Sequence, residues 1–174
     1  MRSEEQTTFK AVTVGRRGLE LLRPLVERFC AAGVTQWDSD TLLRVAWHRL
    51  ATPLFRVWAL VRQGSNEPLG FLVAQVQAAD AQTEIYLLAA YMEPGLPLRA
   101  GHEMLDRALR WGRLMGAERA MVRTVRGDSN GLAEPKAWER LGFSYESTLL
   151  TGPMTMRPVE ELEQAEEVAE DGTE

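Results

Sequence analysis

A loop between a strand and a helix has the clearest chemical potential in this sequence. An apolar, strand-like run ends at Met92, a short segment with proline and glycine follows, and a helix-periodic run begins near Arg99. The first N–H groups of a helix lack partners within the helix, and the helix dipole is positive at that end, so both favour an anion such as a phosphate. His102 would lie in the first helical turn, as a phosphate donor or as a plain exposed residue. Many proteins use this strand–loop–helix layout to hold a phosphate-bearing cofactor, so the residues between Leu98 and Glu103 are a candidate site for one.

The composition indicates one soluble globular domain, expected over residues 1–158. The chain has 174 residues, of which 45% are hydrophobic and 26% charged, so it is long enough to bury a core. Apolar runs such as "YLLAAYM" are far shorter than the ~20 residues of a membrane-spanning helix. The acidic, polar start "MRSEEQTTFK" differs from a secretory signal. We therefore expect a cytoplasmic protein without membrane contact.

Cysteine and histidine usage argues against a metal site. The single cysteine, Cys30, excludes an internal disulfide framework, and it falls in a periodic run typical of a buried helix residue. The two histidines, His48 and His102, are isolated and have no metal-ligand spacing. We therefore expect no bound metal.

The last sixteen residues, 159–174, are expected to form an acidic, disordered tail. They contain eight acidic residues and no Lys or Arg, so with a whole-chain charge of −5 the remaining residues carry +3. Such a segment is expected to be solvated or frayed, and it could solubilise the protein or bind a basic partner. A body charge of +3 is too weak to indicate a nucleic-acid surface. The sequence leaves the oligomeric state open between monomer and homodimer.

Hydrophobic periodicity predicts an α/β fold. A strand is predicted at Thr8–Val14, followed by a helix at Arg16–Ala32 with a possible kink at Pro24, and by a second helix capped by Asp38 or Asp40. Further strands are predicted in "LFRVWALVRQ", "LGFLVAQVQA", "TEIYLLAAYM", "ERAMVRTV" and "FSYESTLLTG", and further helices after Arg99 and in "PKAWERLG". The third of these strands is apolar on both faces and so is expected to be central. The order β, α, α, β, β, β, α, β, α, β predicts a mixed, mostly antiparallel sheet of about six strands flanked by about four helices.

This order, together with "AWERLGF" at Ala137–Phe143, resembles the GNAT superfamily of N-acetyltransferases, whose chains commonly read "YEKLGF" before the penultimate strand. The resemblance covers nearly the whole body of the chain. In that family the fourth strand splays from the fifth, and the pantetheine of acyl-CoA pairs with strand backbone in the gap. A loop with the pattern Q/R-x-x-G-x-G/A then leads the pyrophosphate to the start of the third helix. The resemblance implies an acyl-CoA-dependent N-acyltransferase that transfers acetyl from acetyl-CoA to an amine of a small molecule or a protein.

The family loop pattern falls on Gly95–Ala100 without insertion. Ala100 satisfies the final position, whereas Gly95 replaces the polar residue and Leu98 replaces the central glycine. Arg99 and Gly101 lie one position out of register, and a shifted loop could use both. The cofactor-binding residues that the resemblance implies are Ala90, Tyr91 and Met92 on the strand, Leu98, Arg99, Ala100, Gly101, His102 and Glu103 at the helix, and Asn130 and Trp138 beyond.

The resemblance also implies catalytic residues. Glu84 matches a general-base glutamate of the histone-acetylating branch, or else it is a surface residue at a strand end. Tyr145 could face the cleft from the last strand, and Tyr86 and Tyr91 are acid candidates or core residues. Trp138 aligns with the tyrosine of "YEKLGF", but an indole cannot act as a general acid near neutral pH.

A second interpretation keeps the fold without the chemistry: a degenerate GNAT-like binding or structural protein, such as a bacteriophage virion component. The loop distinguishes the two interpretations, because a pyrophosphate site needs open N–H groups after Leu98. A filled site would have the Leu98 side chain or the "PGLPL" backbone across it. The tryptophans Trp37, Trp47 and Trp58 could line an acceptor pocket or pack in the core.

Overall fold

Seven strands form one sheet in the computed structural model. The model describes residues 8–33, 35, 37–79, 82–123, 143–146 and 149–152, with backbone alone at 79, 123, 144–146 and 149–152. The strands are β1 (Phe9–Thr13), β2 (Phe55–Arg62), β3 (Pro68–Ala79), β4 (Gln82–Met92), β5 (Arg119–Arg123), β6 (Ser144–Glu146) and β7 (Leu149–Gly152).

The sheet has the order β1-β2-β3-β4-β5-β7-β6. Only β4 and β5 run parallel, and every other neighbouring pair is antiparallel. The predicted mixed, mostly antiparallel sheet is therefore confirmed. The prediction of a single last strand was wrong, because Ser144 pairs with Thr151 and Glu146 with Leu149. No glycine or proline lies between the two halves to mark the reversal in the sequence.

The first predicted helix divides in two. A 3₁₀ helix covers Arg16–Leu22, and α1 covers Arg23–Ala31. Pro24 lies in the first turn of α1, where the missing N–H of proline would have no helical partner in any case. The expected irregularity at Pro24 thus marks the start of a new helix.

The second helix, α2 (Ser39–Arg49), begins as its sequence predicts. The Asp38 carboxylate accepts a hydrogen bond of 2.7 Å from the backbone N–H of Thr41. This N-cap satisfies one of the donors that a helix start leaves open, and of the two candidates it selects Asp38. The longest helix, α3, covers Leu98–Leu114.

Helices pack on both faces of the sheet, which confirms the layered prediction. On one face α3 buries a stripe that includes Ala100, Met104, Leu105, Ala108 and Leu109 against the strands. On the other face, called here the α1/α2 face, the 3₁₀ helix, α1 and α2 pack over β2 and β3. The helix predicted in "PKAWERLG" and the acidic tail lie outside the described residues.

Among the described residues, no helix combines the length and the apolar character needed to cross a membrane.

The contact between α3 and β4 is close at Gly112. A Cβ atom built there would lie 2.9 Å from Cδ1 of Ile85, 3.1 Å from its Cβ and 3.2 Å from its Cγ2. These separations are shorter than ordinary van der Waals contact, so the glycine lets the helix approach the strand.

We therefore expect Gly112→Ala to destabilise the protein by about 1 kcal/mol or more, because overpacking outweighs the helix propensity that alanine adds. Denaturant unfolding measures the effect. In an Ile85→Val background, which removes Cδ1, the cost should shrink. Gly15→Ala is the control, since nothing lies within 4 Å of its Cβ position. A Gly112→Ala protein more stable than the parent would contradict the close contact.

Candidate active site

Strand β4 separates from β5 halfway along its length. The parallel pairing covers Glu84–Leu87 on β4 and Arg119–Val122 on β5. From Ala89 to Met92, β4 pairs only with β3 in the part of the chain that the structure describes. Among those residues no strand pairs with the β5 side of this segment, where an extended ligand could pair like a strand.

A β-bulge at Leu88 coincides with the separation. Leu87 pairs with Ala74 and Ala89 with Val73, so Leu88 is the extra residue. A bulge breaks the alternation of a strand, bends it and re-aims its side chains. Ile85 and Leu87 pack toward α3 before the bulge, whereas Ala89 and Tyr91 pack toward α1 and α2 after it. Leu88 itself is 45% exposed.

The strand residues predicted to bind cofactor have their side chains engaged elsewhere. Ala90 and Met92 pack against the core on the α3 side. Tyr91 stacks on Phe71 with ring centroids 6.2 Å apart and an interplanar angle of 26°. These three residues would therefore contact a ligand through their backbone N–H and C=O groups.

The loop between β4 and α3 leaves the helix start uncapped. Gly95, with φ at +82°, follows Pro94, a sequence typical of a type II turn. Pro97 occupies the N-cap position and makes no side-chain cap, while the N–H of Ala100 donates to the Pro97 carbonyl at 2.9 Å. Leu98 is the first helical residue and packs against the core on the α3 side together with Leu96. Leu98 therefore needs no glycine-like backbone angles.

The remaining residues of the first helical turn take different environments. Ala100 and Gly101 are buried against the sheet. The Arg99 guanidinium lies 6.0 Å from the ring centroid of Phe9, on β1. Glu103 pairs with Arg107 at 3.4 Å, and His102 is half-buried. Phosphate contacts by Arg99, Gly101 and His102 stay predictions.

Glu84 lies at the start of the β4–β5 pairing and is buried, with 2% of its surface exposed. The next residue, Ile85, packs toward α3, so the Glu84 side chain lies on the opposite, α1/α2 face. Its Oε1 accepts from Arg119 Nε at 3.0 Å and from Nη2 at 2.7 Å. The expected alternative of a strand-end surface residue is excluded by this burial. Its role as a base stays a prediction.

Tyr86 joins Glu84 in a polar group on the same face. Burial is the largest cause that raises the pKa of the Tyr86 phenol. The hydrogen bond to the Glu84 carboxylate and the negative charge of that carboxylate raise this pKa further. A hydrogen bond from Gln77 and the charge of Arg119 act in the opposite direction. The phenol thus remains protonated, donating to Glu84, beyond the pH at which an exposed tyrosine ionises.

A cavity of about 760 Å³ opens on the α1/α2 face beside the bulge. Residues of the 3₁₀ helix, α1, α2 and strands β2 to β4 line it, and its wall on β4 is Leu88 and Ala89. This size is typical of small-molecule sites. The open edge of β4 and the cavity therefore meet at one point, the bulge.

The three tryptophans singled out in the sequence separate in the structure. Trp37 lines the cavity. The Arg16 guanidinium lies over the ring of Trp47, 4.3 Å from the ring centroid. Trp58 packs edge-to-face on Trp111 in the core below α3. His48 is exposed beside Trp47. Asn130, Trp138 and the side chain of Tyr145 lie outside the described residues.

Three residues of the site escaped sequence reasoning: Leu88, Arg49 and Arg119. Leu88 sits inside an unbroken apolar run, so nothing in the sequence marks the bulge. Arg119 is the first residue of the strand "RAMVR", and Glu84 lies just before the apolar run of its own strand. Two opposite charges at the same end of two strands are a sequence signal for parallel pairing of those strands.

No protein-family model and no curated protein sequence matches this chain. Solved structures do. An acetyltransferase from Thermus thermophilus is 21% identical with a TM-score of 0.62, covering 84% of this chain and 97% of its own. A predicted acetyltransferase with acetyl-CoA from Clostridium acetobutylicum is 17% identical with a TM-score of 0.64, covering 80% of this chain and 92% of its own.

A Desulfovibrio desulfuricans protein assigned to the GNAT family of acetyltransferases is 14% identical with a TM-score of 0.63, covering 86% of this chain and 99% of its own. At these identities the likeness establishes the fold. The predicted GNAT-like fold is confirmed.

The Tyr86 environment predicts a pH dependence of stability. The folded chain holds the phenolic proton above the ordinary value of 10, so the stabilisation is complete below about pH 10 and is lost as pH rises through the folded pKa. Denaturant unfolding of Tyr86→Phe should show a weaker alkaline loss than the parent protein. Glu84→Gln removes the charge that faces the phenol and so lowers its folded pKa, and its alkaline loss should therefore be smaller and end at a lower pH than in the parent. Identical alkaline slopes for Tyr86→Phe and the parent would contradict this environment.

Proposed function

We propose that this chain, which has the fold of the GNAT acetyltransferases, is an acyl-CoA-dependent N-acyltransferase that uses acetyl-CoA. The observation that carries the proposal is the meeting of the open β4 edge with a ligand-sized cavity at Leu88. A thioester bound along the edge would present its carbonyl to an amine in the cavity. The Clostridium acetobutylicum neighbour was solved with acetyl-CoA, which supports this choice of donor.

Backbone groups would supply the binding and the polarisation. The pantetheine amides would pair with the strand edge over Ala90–Met92, and an N–H of this edge would polarise the acyl carbonyl. The uncapped start of α3 would receive the pyrophosphate, because its N–H groups and dipole favour an anion. Side-chain identity matters little for either contact, so the departures at Gly95 and Leu98 do not remove them.

The reaction needs proton transfers as well as positioning. The amine nitrogen forms a bond to the acyl carbon, the carbon–sulfur bond breaks, and the proton lost by the amine is matched by one gained by the CoA thiolate. Glu84 is the proposed base, on the same face as the cavity wall residue Ala89. It lies four residues before the bulge and outside the cavity lining, so the proton would reach it through intervening water. Its ion pair with Arg119 would fix the carboxylate in one orientation.

Acetyl-CoA binding tests the proposal, and Pro97 offers a variant with opposite effects on stability and binding. Acetyl-CoA at about 100 times its Kd should add roughly 2.7 kcal/mol of stability. Pro97→Asp should stabilise α3 by about 1 kcal/mol through a new N-cap, yet weaken acetyl-CoA binding by occupying the same N–H groups with a negative charge. Thermal unfolding and calorimetry measure the two effects.

Pro97→Asn is the matched control, since it caps the helix without charge and should weaken binding less than Pro97→Asp. Pro97→Ala reports the loss of proline alone. Unchanged affinity in a stabilised Pro97→Asp protein would remove the start of α3 as the pyrophosphate site. If acetyl-CoA at millimolar concentration gives neither heat nor stabilisation, the transferase proposal fails and the binding or structural alternative is favoured.

Glu84→Gln should lower kcat by about 100-fold or more, the effect expected from removing a general base, and leave acetyl-CoA affinity unchanged. Arg119→Met is the companion variant, because it breaks the same ion pair and keeps the carboxylate. A base role predicts that activity survives in Arg119→Met with an altered pH profile. If both variants lose activity equally, and in proportion to their loss of stability, the ion pair has a structural role. If Glu84→Gln retains turnover, Glu84 is not the base.

A further inference from the structure

The cavity on the α1/α2 face has an apolar wall with one charged residue. Among the described residues, its lining consists of aliphatic and aromatic side chains apart from Gly33, Thr35 and Arg49. Arg49 is the single ionisable residue in that lining, and no carboxylate takes part in it. An acceptor in this cavity therefore meets hydrophobic surface and one positive charge.

Arg49 is held toward the sheet by neutral contacts. It is the last residue of α2, and its Nη1 donates to Oε1 of Gln75 on β3 at 2.7 Å. Its Cζ lies 6.0 Å from the ring centroid of Phe55 on β2. Within the described ranges it has no acidic partner. Five other arginines do have acidic partners there: Arg23, Arg28, Arg107, Arg110 and Arg119.

The register of β3 places this cation near the reacting position. Gln75 lies two residues from Val73 along β3, and Val73 pairs with Ala89 beside the bulge. Two residues of strand span about 7 Å. The Arg49–Gln75 contact thus lies about 7 Å along the sheet from the position of the bulge, a separation on the scale of a small ligand.

We propose that the acceptor is a hydrophobic α-amino acid, its carboxylate bound by Arg49, its side chain in the apolar cavity and its amine directed at the β4 edge. This inference rests on the proposed transferase function and narrows its substrate class. Guanidinium and carboxylate match in geometry and charge. A polyamine or an aminosugar with several ammonium groups would meet Arg49 and find no carboxylate in the lining. A peptide N-terminus would present a neutral amide where the carboxylate should be.

The first measurement is binding of L-phenylalanine by calorimetry, with and without CoA. Phenethylamine lacks the carboxylate, L-alanine lacks the apolar side chain, and spermidine carries only ammonium groups, so each should bind at least tenfold more weakly. Thiol release from acetyl-CoA, followed with the same compounds and with the dipeptide Phe-Ala, should give the same order in kcat/KM.

Arg49→Met keeps the length and apolar stem of the side chain and removes its charge. It should weaken L-phenylalanine about 10- to 100-fold, the range for losing a charge-assisted hydrogen bond, and leave phenethylamine and acetyl-CoA unchanged. Arg44→Met is the matched control, because Arg44 and Arg49 are both exposed arginines of α2 but only Arg49 lines the cavity. Arg49→Lys should recover part of the affinity.

The outcomes separate the two proposals. Binding of L-phenylalanine that depends on Arg49, without any binding of acetyl-CoA, would keep the cavity assignment and remove the transferase function. Acetyl-CoA turnover with phenethylamine, spermidine or Phe-Ala as good as with L-phenylalanine would keep the transferase and overturn the amino-acid acceptor. Equal effects of Arg49→Met and Arg44→Met would also overturn it.

Discussion

The site depends on one constraint, the loss of a pairing partner by β4 beyond Leu87. In the described part of the sheet, the edge of β4 opposite β3 pairs with β5 over only four residues. The bulge at Leu88 begins where that pairing ends, and it turns the side chains of Ala89 and Tyr91 from the α3 side to the α1/α2 side. A single extra residue thus opens a backbone edge and sets the wall of the cavity beside it.

The two layers of helices serve this strand in different ways. Under α3 the packing is close, with Gly112 against Ile85 and with Ala100 and Met104 fully buried. On the other face α1 and α2 leave a cavity over β2 to β4. The Arg28–Glu93 ion pair ties α1 to the residue after β4 on that side. One layer is therefore closely packed against the sheet, and the other contains a cavity of ligand size.

Local patterns predicted most of the elements, whereas contacts between distant segments were beyond them. Strand-like apolar runs predicted β1 to β5, and Asp38 and Asp40 signalled the start of α2. The bulge was not predictable, because "YLLAAYM" is apolar on both faces and a shift of one residue changes no hydrophobic pattern. The family loop pattern has glycine at the position of Leu98. The structure shows that Leu98 has a helical conformation and that its side chain packs against the core. The Glu84–Arg119 pair joins residues 35 positions apart, which no local window contains.

The charges on the α1/α2 face decide what the cleft can recognise. Glu84 is the buried carboxylate on this face of β4, and its Oε1 takes both contacts from Arg119 while Tyr86 also bonds to the same side chain. A carboxylate so engaged presents little net negative charge to a neighbouring cavity. Within the described residues Arg49 has a neutral partner in Gln75, and it is the ionisable residue of the cavity lining. Under the proposed function, selectivity for the acceptor would reside in the last residue of α2, whereas the loop before α3, where the family pattern is altered, would contact the pyrophosphate of the acyl donor.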